Sequence, residues 1–343
     1  MHYRALGKTG LKISELGFGG IPIIRLQTDE AIHVVKYAFE KGITFYDTAN
    51  AYKDSEYKMG KAFHGIRDKV VIATKTQRRD ATGFVEHLEN SLRNLQTDYI
   101  DLFQLHQVAQ EKDWDLLQSP DGALEAVIKA KEQGKIRHIG VTSHSLPMAI
   151  KLIKTGIFET VQFPFNFIEH AAKDDLHEVA RSMNIGIIVM KPFAGGVIDN
   201  AELAFKFLRQ YPDLVVIPGY DSVESIDQII ALYERPNRVT AEDTMLMDQY
   251  KADLGRQFCR RCEYCQPCPR GVMITPAMGY RIVAQRMSPG VAVDFARKAM
   301  ETITECVNCG LCTTRCPYEL PIPEILKKNY SLFEEHGGVI STR

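Results

Sequence analysis

The first 258 residues of this chain contain no cysteine, and the whole chain has a single tryptophan, Trp114. No apolar run approaches the roughly 20 residues that a membrane span requires, and the N-terminus lacks the apolar core of a secretory signal peptide. The formal net charge is only −1, so no excess of charge favours nucleic acid or an anionic membrane as a partner. These absences predict a soluble, cytoplasmic protein that has neither nucleic acid nor a membrane as its partner.

Short apolar runs and helix-period segments alternate along the chain as far as residue 232. The first helical segment is bounded by Thr28, which can cap it, and by Gly42, which ends it. Candidate strands cover residues 13–20, 43–47, 70–75, 100–106, 138–143, 160–165, 185–190 and 214–217. Candidate helices cover residues 28–41, 83–95, 121–133, 146–154, 174–183, 201–210 and 223–232.

Eight strands that alternate with helices indicate parallel pairing, either in a closed barrel or in a doubly wound open sheet. No Gly-x-Gly-x-x-Gly follows the first strand, which weakens the open-sheet alternative. We therefore predict an α/β fold, a (β/α)₈ TIM barrel over residues 1–235. Residues 236–343 form a second, cysteine-bearing domain in this prediction.

Three successive predicted strands end in ionisable side chains: Asp47, Lys75 and His106. The active site of a (β/α)₈ barrel gathers at the carboxyl ends of its strands. Taken singly, Asp47 could cap a helix and His106 could be a satisfied core histidine, but an interior lysine almost always needs a partner. Asp47 and Lys75 can pair on neighbouring strands, with Tyr52 just beyond the rim. An adjacent ammonium lowers the pKa of a tyrosine, which makes Tyr52 a candidate general acid.

The sequence around these residues resembles the aldo-keto reductase family. The matching motifs are Gly-Ile-Thr-Phe-Tyr-Asp-Thr-Ala-Asn-Ala-Tyr at 42–52, Asp-Leu-Phe-Gln-Leu-His at 101–106, Leu-Gly-Lys-Thr-Gly-Leu-Lys-Ile-Ser at 6–14 and Gly-Lys-Ile-Arg-His-Ile-Gly-Val at 134–141. The resemblance implies NAD(P)H-dependent reduction of a small carbonyl substrate, an aldehyde or a ketone. It also implies that Tyr52 donates the proton, Lys75 and Asp47 tune Tyr52, and His106 orients the carbonyl.

The same resemblance implies a set of residues that contact the cofactor. They are Asp47 at the reacting end, Thr142, Ser143 and Gln162 at the carboxamide, Met190 in place of a stacking tyrosine, and Lys191, Pro192, Gly195, Gly196, Ile217, Pro218 and Gly219 along the phosphates. Family members usually have an asparagine where Ser143 stands. After Gly219 the chain has Asp221 and no nearby lysine or arginine, so we predict no strong preference for NADPH over NADH.

All eight cysteines lie in two runs near the C-terminus, and in a reducing compartment such clusters are more often metal ligands than disulfides. The second run has the bacterial ferredoxin spacing Cys-x₂-Cys-x₂-Cys-x₃-Cys-Pro, and the first is one residue shorter before its last cysteine. Cys₄ zinc sites are the alternative. The runs are Cys259, Cys262, Cys265 and Cys268, and then Cys306, Cys309, Cys312 and Cys316.

We predict two [4Fe-4S] clusters, with one cluster as the alternative because of the shorter first run. In two-cluster ferredoxins the fourth cysteine of each run ligates the other cluster, and we expect the same crossing here. This tail resembles the ferredoxin-like extension of one branch of aldo-keto reductases, with helices between and after the runs.

Two functions other than carbonyl reduction with accessory clusters stay open at this point. The protein could be an electron-transfer or redox-sensing protein that uses the barrel as a nicotinamide platform and has a redox partner protein. It could also be a reductase with a zinc-stapled tail that docks a partner. The loop at residues 107–118, with Trp114, is a candidate pocket wall or an ordinary surface loop.

Overall fold

The computed structural model describes residues 1–284 and 287–338. The chain divides into two compact units, residues 1–194 with 200–240, and residues 195–199 with the chain from residue 241 onward. Among the described residues, all the strands belong to the first unit. Within those same ranges, no helix is both long and apolar enough to cross a membrane.

The first unit is built on a parallel sheet that closes on itself. The strands among the described residues are β1 (Tyr3–Ala5), β2 (Lys12–Ser14), β3 (Phe18–Gly19), β4 (Phe45–Asp47), β5 (Val71–Thr76), β6 (Ile100–Leu105), β7 (Ile136–Thr142), β8 (Thr160–Pro164), β9 (Gly186–Met190) and β10 (Val215–Val216). Strands β3 to β10 pair in chain order, each parallel to the next. Parallel bridges from Leu16 to Val216 and from Gly19 to Gly219 join the two edges. The predicted (β/α)₈ barrel is thereby confirmed.

The predicted first strand, residues 13–20, is split in the structure. Its beginning forms β2, which pairs antiparallel with β1, and its end forms β3 in the barrel wall. A side chain at Gly7 would collide with the backbone of Gly186, the first residue of β9, so this hairpin lies against the amino ends of the strands. Leu6 and Ile13 are buried there and pack into the barrel interior against Phe45, Ala73, Leu102, Ile188 and Val215. The prediction of one strand was wrong because the same apolar run serves both the hairpin and the wall.

Helices connect the barrel strands as the periodicity predicts. They are α1 (Thr28–Glu40), α2 (Ser55–Ala62), α3 (Ala81–Leu95), α4 (Glu111–Gln118), α5 (Ala123–Glu132), α6 (Leu146–Lys154), α7 (Leu176–Ser182), α8 (Ala201–Leu208) and α9 (Val223–Tyr233). In α1 the apolar stripe Ala31, Val34, Val35 and Ala38 is buried. Thr28 is the first residue of the helix rather than its cap, and the cap residue Gln27 makes no side-chain bond.

Helix α2 has no counterpart among the predicted helices. It buries Met59 and Ala62, but it buries the charged side chains of Glu56 and Lys58 as well. The Glu56 carboxylate accepts hydrogen bonds of 2.6 Å from both Thr74 Oγ1 and Ser91 Oγ. Lys58 Nζ donates to the Ile23 carbonyl at 3.0 Å. Buried polar groups that are paired in this way can hold a helix in place, but their partners are invisible in the local sequence.

The predicted loop at residues 107–118 is also partly helical, because α4 occupies its second half. Trp114 lies on α4, is only 4% exposed, and packs 6.1 Å from the ring of Phe158. It therefore packs in the core rather than on an ordinary surface loop, and its place in a pocket wall stays a prediction.

The second unit consists of helices and cysteine-bearing loops. Its helices among the described residues are α10 (Ala241–Leu254), α11 (Ile274–Met278), α12 (Tyr280–Ala284), α13 (Pro289–Glu301), α14 (Leu311–Thr314) and α15 (Ile322–Glu335). Asn329 on α15 is buried and donates its amide to the carbonyls of Ala277 and Met278 at 2.9 and 3.1 Å. The rings of Tyr280 and Phe333 pack at 5.5 Å beside this contact. The last helix is thus fastened across the segment between the two cysteine runs.

Candidate active site and cysteine-lined cavities

The ionisable residues predicted at the strand ends meet at one end of the barrel. Asp47 is the last residue of β4, Lys75 lies in β5 and His106 directly follows β6. Their exposed fractions are only 3%, 1% and 6%. Three charged or chargeable groups at such depth are costly unless they are paired, so the partners of each one decide what the site can do.

Asp47 and Lys75 form a buried ion pair. Lys75 Nζ lies 2.6 Å from Asp47 Oδ1 and donates a second bond of 2.6 Å to the carbonyl of Thr48. Gln104 Nε2 donates to the other carboxylate oxygen of Asp47 at 3.0 Å. Burial by itself would lower the pKa of Lys75, but the Asp47 carboxylate and the Tyr52 hydroxyl outweigh it and raise that pKa. Lys75 therefore stays a cation at the base of the site.

Gln104 has no predicted role, although the sequence contains a signal for one. Side chains of a strand alternate between its two faces, so Gln104 shares the face of Leu102 and His106. Leu102 belongs to the apolar cluster inside the barrel, and Gln104 is fully buried. A fully buried amide on an inward-facing position needs a polar partner, and that partner is Asp47.

Tyr52 lies over the ion pair from the loop after β4. Its ring centroid is 4.9 Å from Lys75 Nζ and 6.0 Å from the His106 ring, which it meets edge to face. Backbone bonds from Ser55 N to the Tyr52 carbonyl (2.9 Å) and from Asn50 N to the Lys75 carbonyl (3.0 Å) hold this loop against β5. A phenol beside a permanent cation can release its proton more readily than a free tyrosine.

His106 is held as a neutral imidazole. Burial lowers its pKa well below the ordinary histidine value, and the positive charges of Lys75 and Arg79 lower it further. Its Nδ1 is enclosed and has no hydrogen-bonding partner among the described residues. A neutral imidazole can donate one hydrogen bond to a ligand oxygen without adding a charge to the site.

The residues predicted to hold a carboxamide lie on the next two strands. Thr142 Oγ1 accepts a bond of 2.8 Å from Gln107 N, and Ser143 Oγ donates a bond of 2.8 Å to the Val108 carbonyl. Both hydroxyls are therefore already hydrogen-bonded to the loop that follows β6. Gln162 is different, because its buried Oε1 has no partner in the part of the chain that the structure describes. A buried oxygen without a donor fits an amide N–H of a ligand.

The turn after β9 contains the next group of predicted cofactor residues. Met190 is the last residue of β9 and is followed by Lys191, which adopts φ of +57°, and by Pro192. Gly195 and Gly196 have φ of +77° and +95°, and they fall within the second unit. Two consecutive glycines in the left-handed region make a sharp turn that residues with side chains adopt at a cost.

Ile217, Pro218 and Gly219 lie at the seam where the barrel closes. The Pro218 carbonyl accepts a bond of 2.7 Å from Gly19 N. A Cβ at Gly219 would lie 2.6 Å from Pro22 Cγ, so only glycine fits without displacing that ring. The segment beyond the seam is therefore held close to the loop that follows β3.

This proximity places a basic residue beside the segment after Gly219, although that residue is distant in the sequence. Arg25 Nη2 lies 2.6 Å from Asp221 Oδ2, although the two residues are 196 positions apart. Their side chains are 36% and 43% exposed. Asp221 thus has a cation beside it after all, and the expectation of no basic group near this segment was wrong.

The eight cysteines line two cavities in the second unit. One is lined by Cys259, Cys262, Cys265 and Cys316, and the other by Cys268, Cys306, Cys309 and Cys312, with Cys265 at its edge. Arg261, Glu263 and Asn308, which lie between the cysteines, all adopt positive φ and coil the runs. The last cysteine of each run therefore lines the same cavity as the first three cysteines of the other run.

The donor set of both cavities is made of thiols, the groups that ligate the iron atoms of an iron–sulfur cluster. Burial raises the pKa of Cys262 to about 11 and that of Cys265 to about 12. Metal binding must therefore release the protons of these thiols.

Comparison with known proteins agrees with both units. A model of the Aldo/keto reductase family matches residues 15–204, and a model of a 4Fe-4S dicluster domain matches residues 258–321. The Aldo-keto reductase YhdN of Bacillus subtilis is 32% identical over 58% of this chain, and the match spans 64% of its own length, just under two thirds.

Two solved structures share the fold. The holo form of an aldo-keto reductase, AKR11C1 from Bacillus halodurans, has a TM-score of 0.63 and 24% identity over 73% of this chain and 96% of its own. An aldo-keto reductase from Klebsiella pneumoniae in complex with NADPH has a TM-score of 0.61 and 22% identity over the same shares, 73% and 96%.

Proposed function

This chain belongs to the aldo/keto reductase family, and we propose that it is an NAD(P)H-dependent oxidoreductase that reduces an aldehyde or a ketone. The observation that carries the proposal is the buried Asp47–Lys75 ion pair beneath Tyr52, with His106 against the same tyrosine ring. We assign the catalysis to a barrel domain at residues 1–235, and cluster binding to the domain at residues 236–343.

The four residues divide the work of protonating a carbonyl oxygen. Tyr52 donates the proton, and the Lys75 ammonium stabilises the phenolate that remains. Asp47 keeps Lys75 charged and in place through the 2.6 Å contact. His106, as a neutral imidazole, donates a hydrogen bond that orients the carbonyl. Bound NAD(P)H would supply the hydride in this reaction.

The residues present fit a nicotinamide cofactor. The unpartnered Gln162 Oε1 can accept from a carboxamide, and Ser143 Oγ, which donates to Val108 and accepts from Ser145 N, keeps one lone pair for the same group. Thr142 Oγ1, which accepts from Gln107 N, keeps its own proton to donate. We assign the rest of the cofactor surface to Asp47, Met190, Lys191, Pro192, Gly195, Gly196, Ile217, Pro218 and Gly219.

We expect aldehyde-dependent oxidation of both NADH and NADPH, with less than a tenfold preference for NADPH in Kd. The 2′-phosphate of NADPH needs charge-assisted donors. Arg25, a cation that the fold brings to this segment, already forms a salt bridge with Asp221. Asp221→Ser removes the carboxylate that repels a phosphate and pairs with Arg25, so we expect it to shift the ratio of the two Kd values towards NADPH by about tenfold, or about 1.4 kcal/mol.

The matched control is Asp227→Asn, which removes another exposed carboxylate of the same helix region, one that pairs with Lys41. Its cofactor ratio should equal that of the wild type. A wild-type preference for NADPH of tenfold or more contradicts this prediction. The absence of any aldehyde-dependent oxidation, across a panel of aldehydes and ketones and with both cofactors, contradicts the proposed function itself.

We further propose that the second domain holds two [4Fe-4S] clusters with crossed ligands. Each cavity is lined by three cysteines of one run and the last cysteine of the other, and Cys265 lines both cavities. Cys309→Ala should therefore lower the iron content from about eight to about four atoms per chain. It should also increase proteolysis of the tail, while the barrel keeps its affinity for the cofactor.

Pairs of substitutions test the crossing directly. Cys268→Ala combined with Cys309→Ala should lose no more iron than Cys309→Ala alone, because both residues line the same cavity. Cys316→Ala combined with Cys309→Ala should lose both clusters. Iron and sulfide analysis of anaerobically purified protein decides between these results, and the opposite order would show that each run binds its own cluster.

The number of electrons transferred argues against a role of the clusters in hydride transfer. Nicotinamide gives up two electrons together, whereas a cubane accepts one at a time, and joining the two requires a carrier such as a flavin. We therefore place the clusters outside the route from cofactor to carbonyl. Rapid appearance of a reduced-cluster electron paramagnetic resonance signal with NADH or NADPH alone would favour the electron-transfer function instead.

A further inference from the structure

We infer, on the basis of the proposed function, that Arg79 is a positioning residue for His106. Its guanidinium donates hydrogen bonds to the backbone carbonyl of the catalytic histidine and to that of the next residue. These bonds fix the orientation of the imidazole ring. Arg79 Nη2 donates to the His106 carbonyl at 2.9 Å and to the Gln107 carbonyl at 3.1 Å. None of the motifs that identify the site includes this residue.

The backbone at His106 needs such support because it leaves the regular strand there. Gln107 adopts φ of +56°, a conformation that residues with side chains take up at a cost. The neighbouring strands hold the two amide groups: His106 N donates to the Thr76 carbonyl and Gln107 N to Thr142 Oγ1, both at 2.8 Å. Arg79 supplies the donor for the two carbonyls, so the peptide after β6 is fixed on every polar side.

Arg79 is itself largely buried beside a carboxylate, and its Nε and Nη1 have no hydrogen-bonding partner among the described residues. Its side chain is only 16% exposed, and its Nε lies 3.6 Å from Asp113 Oδ1 on α4. Its own carbonyl accepts a bond of 2.8 Å from Ala123 N at the start of α5. Both bonds come from Nη2, which lies one bond further from the backbone than the ammonium nitrogen of a lysine does, so a lysine at this position does not reach the two carbonyls equally well.

Arg79 also acts on the charge state of the site. The charged or titratable groups that face His106 are Lys75 from β5, Tyr52 from the loop after β4, and Arg79 from the loop after β5. Asp113 faces Arg79 from the far side. Two fixed cations near the imidazole disfavour its protonation, which keeps it available as a neutral donor.

The experiment compares Arg79→Met, Arg79→Lys and the wild-type full-length protein. In Arg79→Met we expect kcat for a carbonyl substrate to fall by about 10²-fold, since small misplacements of a catalytic group have effects of this size. The Kd of the cofactor should stay within about twofold of the wild type, and the histidine resonances assigned to His106 by ¹⁵N NMR should titrate at a higher pH. Arg79→Lys, which keeps the charge but not the reach of Nη2, should keep the wild-type titration and recover only part of kcat.

Arg78→Met is the matched control, because Arg78 is a neighbouring arginine that pairs with Asp80 at the surface. It should leave both kcat and the His106 titration unchanged. Wild-type kcat in Arg79→Met overturns the inference. If Arg79→Met does not fold, wild-type kcat in Arg79→Lys overturns it as well. Failure of the wild type to reduce any carbonyl is a different outcome that counts against the proposed function, and the NMR titration reads the effect of Arg79 on His106 without turnover.

Discussion

Replacing Tyr52 by phenylalanine should lower kcat for carbonyl reduction by about 10²–10⁴-fold, the usual contribution of a positioned general acid. The substitution removes the hydroxyl from the ring that contacts the Lys75 ammonium and the His106 ring. The ring itself stays, so packing of the loop after β4 is preserved. Because the backbone bonds of that loop do not involve the hydroxyl, cofactor Kd should change little. Steady-state kinetics and cofactor titration measure the two quantities separately.

Tyr57→Phe provides a matched control for this prediction. Tyr57 lies on α2, five residues beyond Tyr52, and its side chain is 43% exposed. Its loss of a hydroxyl should leave kcat unchanged. Wild-type turnover in Tyr52→Phe, with a substrate that the parent protein reduces, would show that another group donates the proton.

Replacing Lys75 by methionine should be comparably damaging to kcat and should also destabilise the barrel. Removing one partner of a buried ion pair typically costs about 3–5 kcal/mol, because the other charge is left uncompensated. Here that charge is the Asp47 carboxylate, which is 3% exposed and keeps Gln104 as a donor. Denaturant unfolding measures the loss of stability, and kinetics measures the loss of activity.

The double variant Lys75→Met with Asp47→Asn separates the two effects. A neutral amide in place of the carboxylate removes the buried unpaired charge, so part of the lost stability should return. Activity should not return, since no ammonium remains beneath Tyr52. Recovery of kcat together with stability would mean that Lys75 acts on folding alone.

The features that could be predicted from the sequence are those encoded over a few residues. The alternation of apolar runs with helical stripes predicts the barrel, because hydrophobic periodicity is a local property of each element. Asp47, Lys75 and His106 were expected together because the carboxyl ends of parallel strands meet at one end of a barrel. The spacing of the cysteines predicts cluster binding because the first three cysteines of each run are separated by only two residues.

Polar contacts between distant segments were decided by the tertiary structure alone. Arg25 reaches Asp221 across the seam of the barrel, and Arg79 reaches the backbone of His106 from the neighbouring loop. Helix α2 depends on Glu56, whose partners are residues of β5 and α3. None of these pairs has a fixed spacing in the chain, because which strand or loop ends are adjacent is set by barrel closure. A side chain's need for a partner can be seen in the sequence, but the identity of that partner follows only from the folded structure.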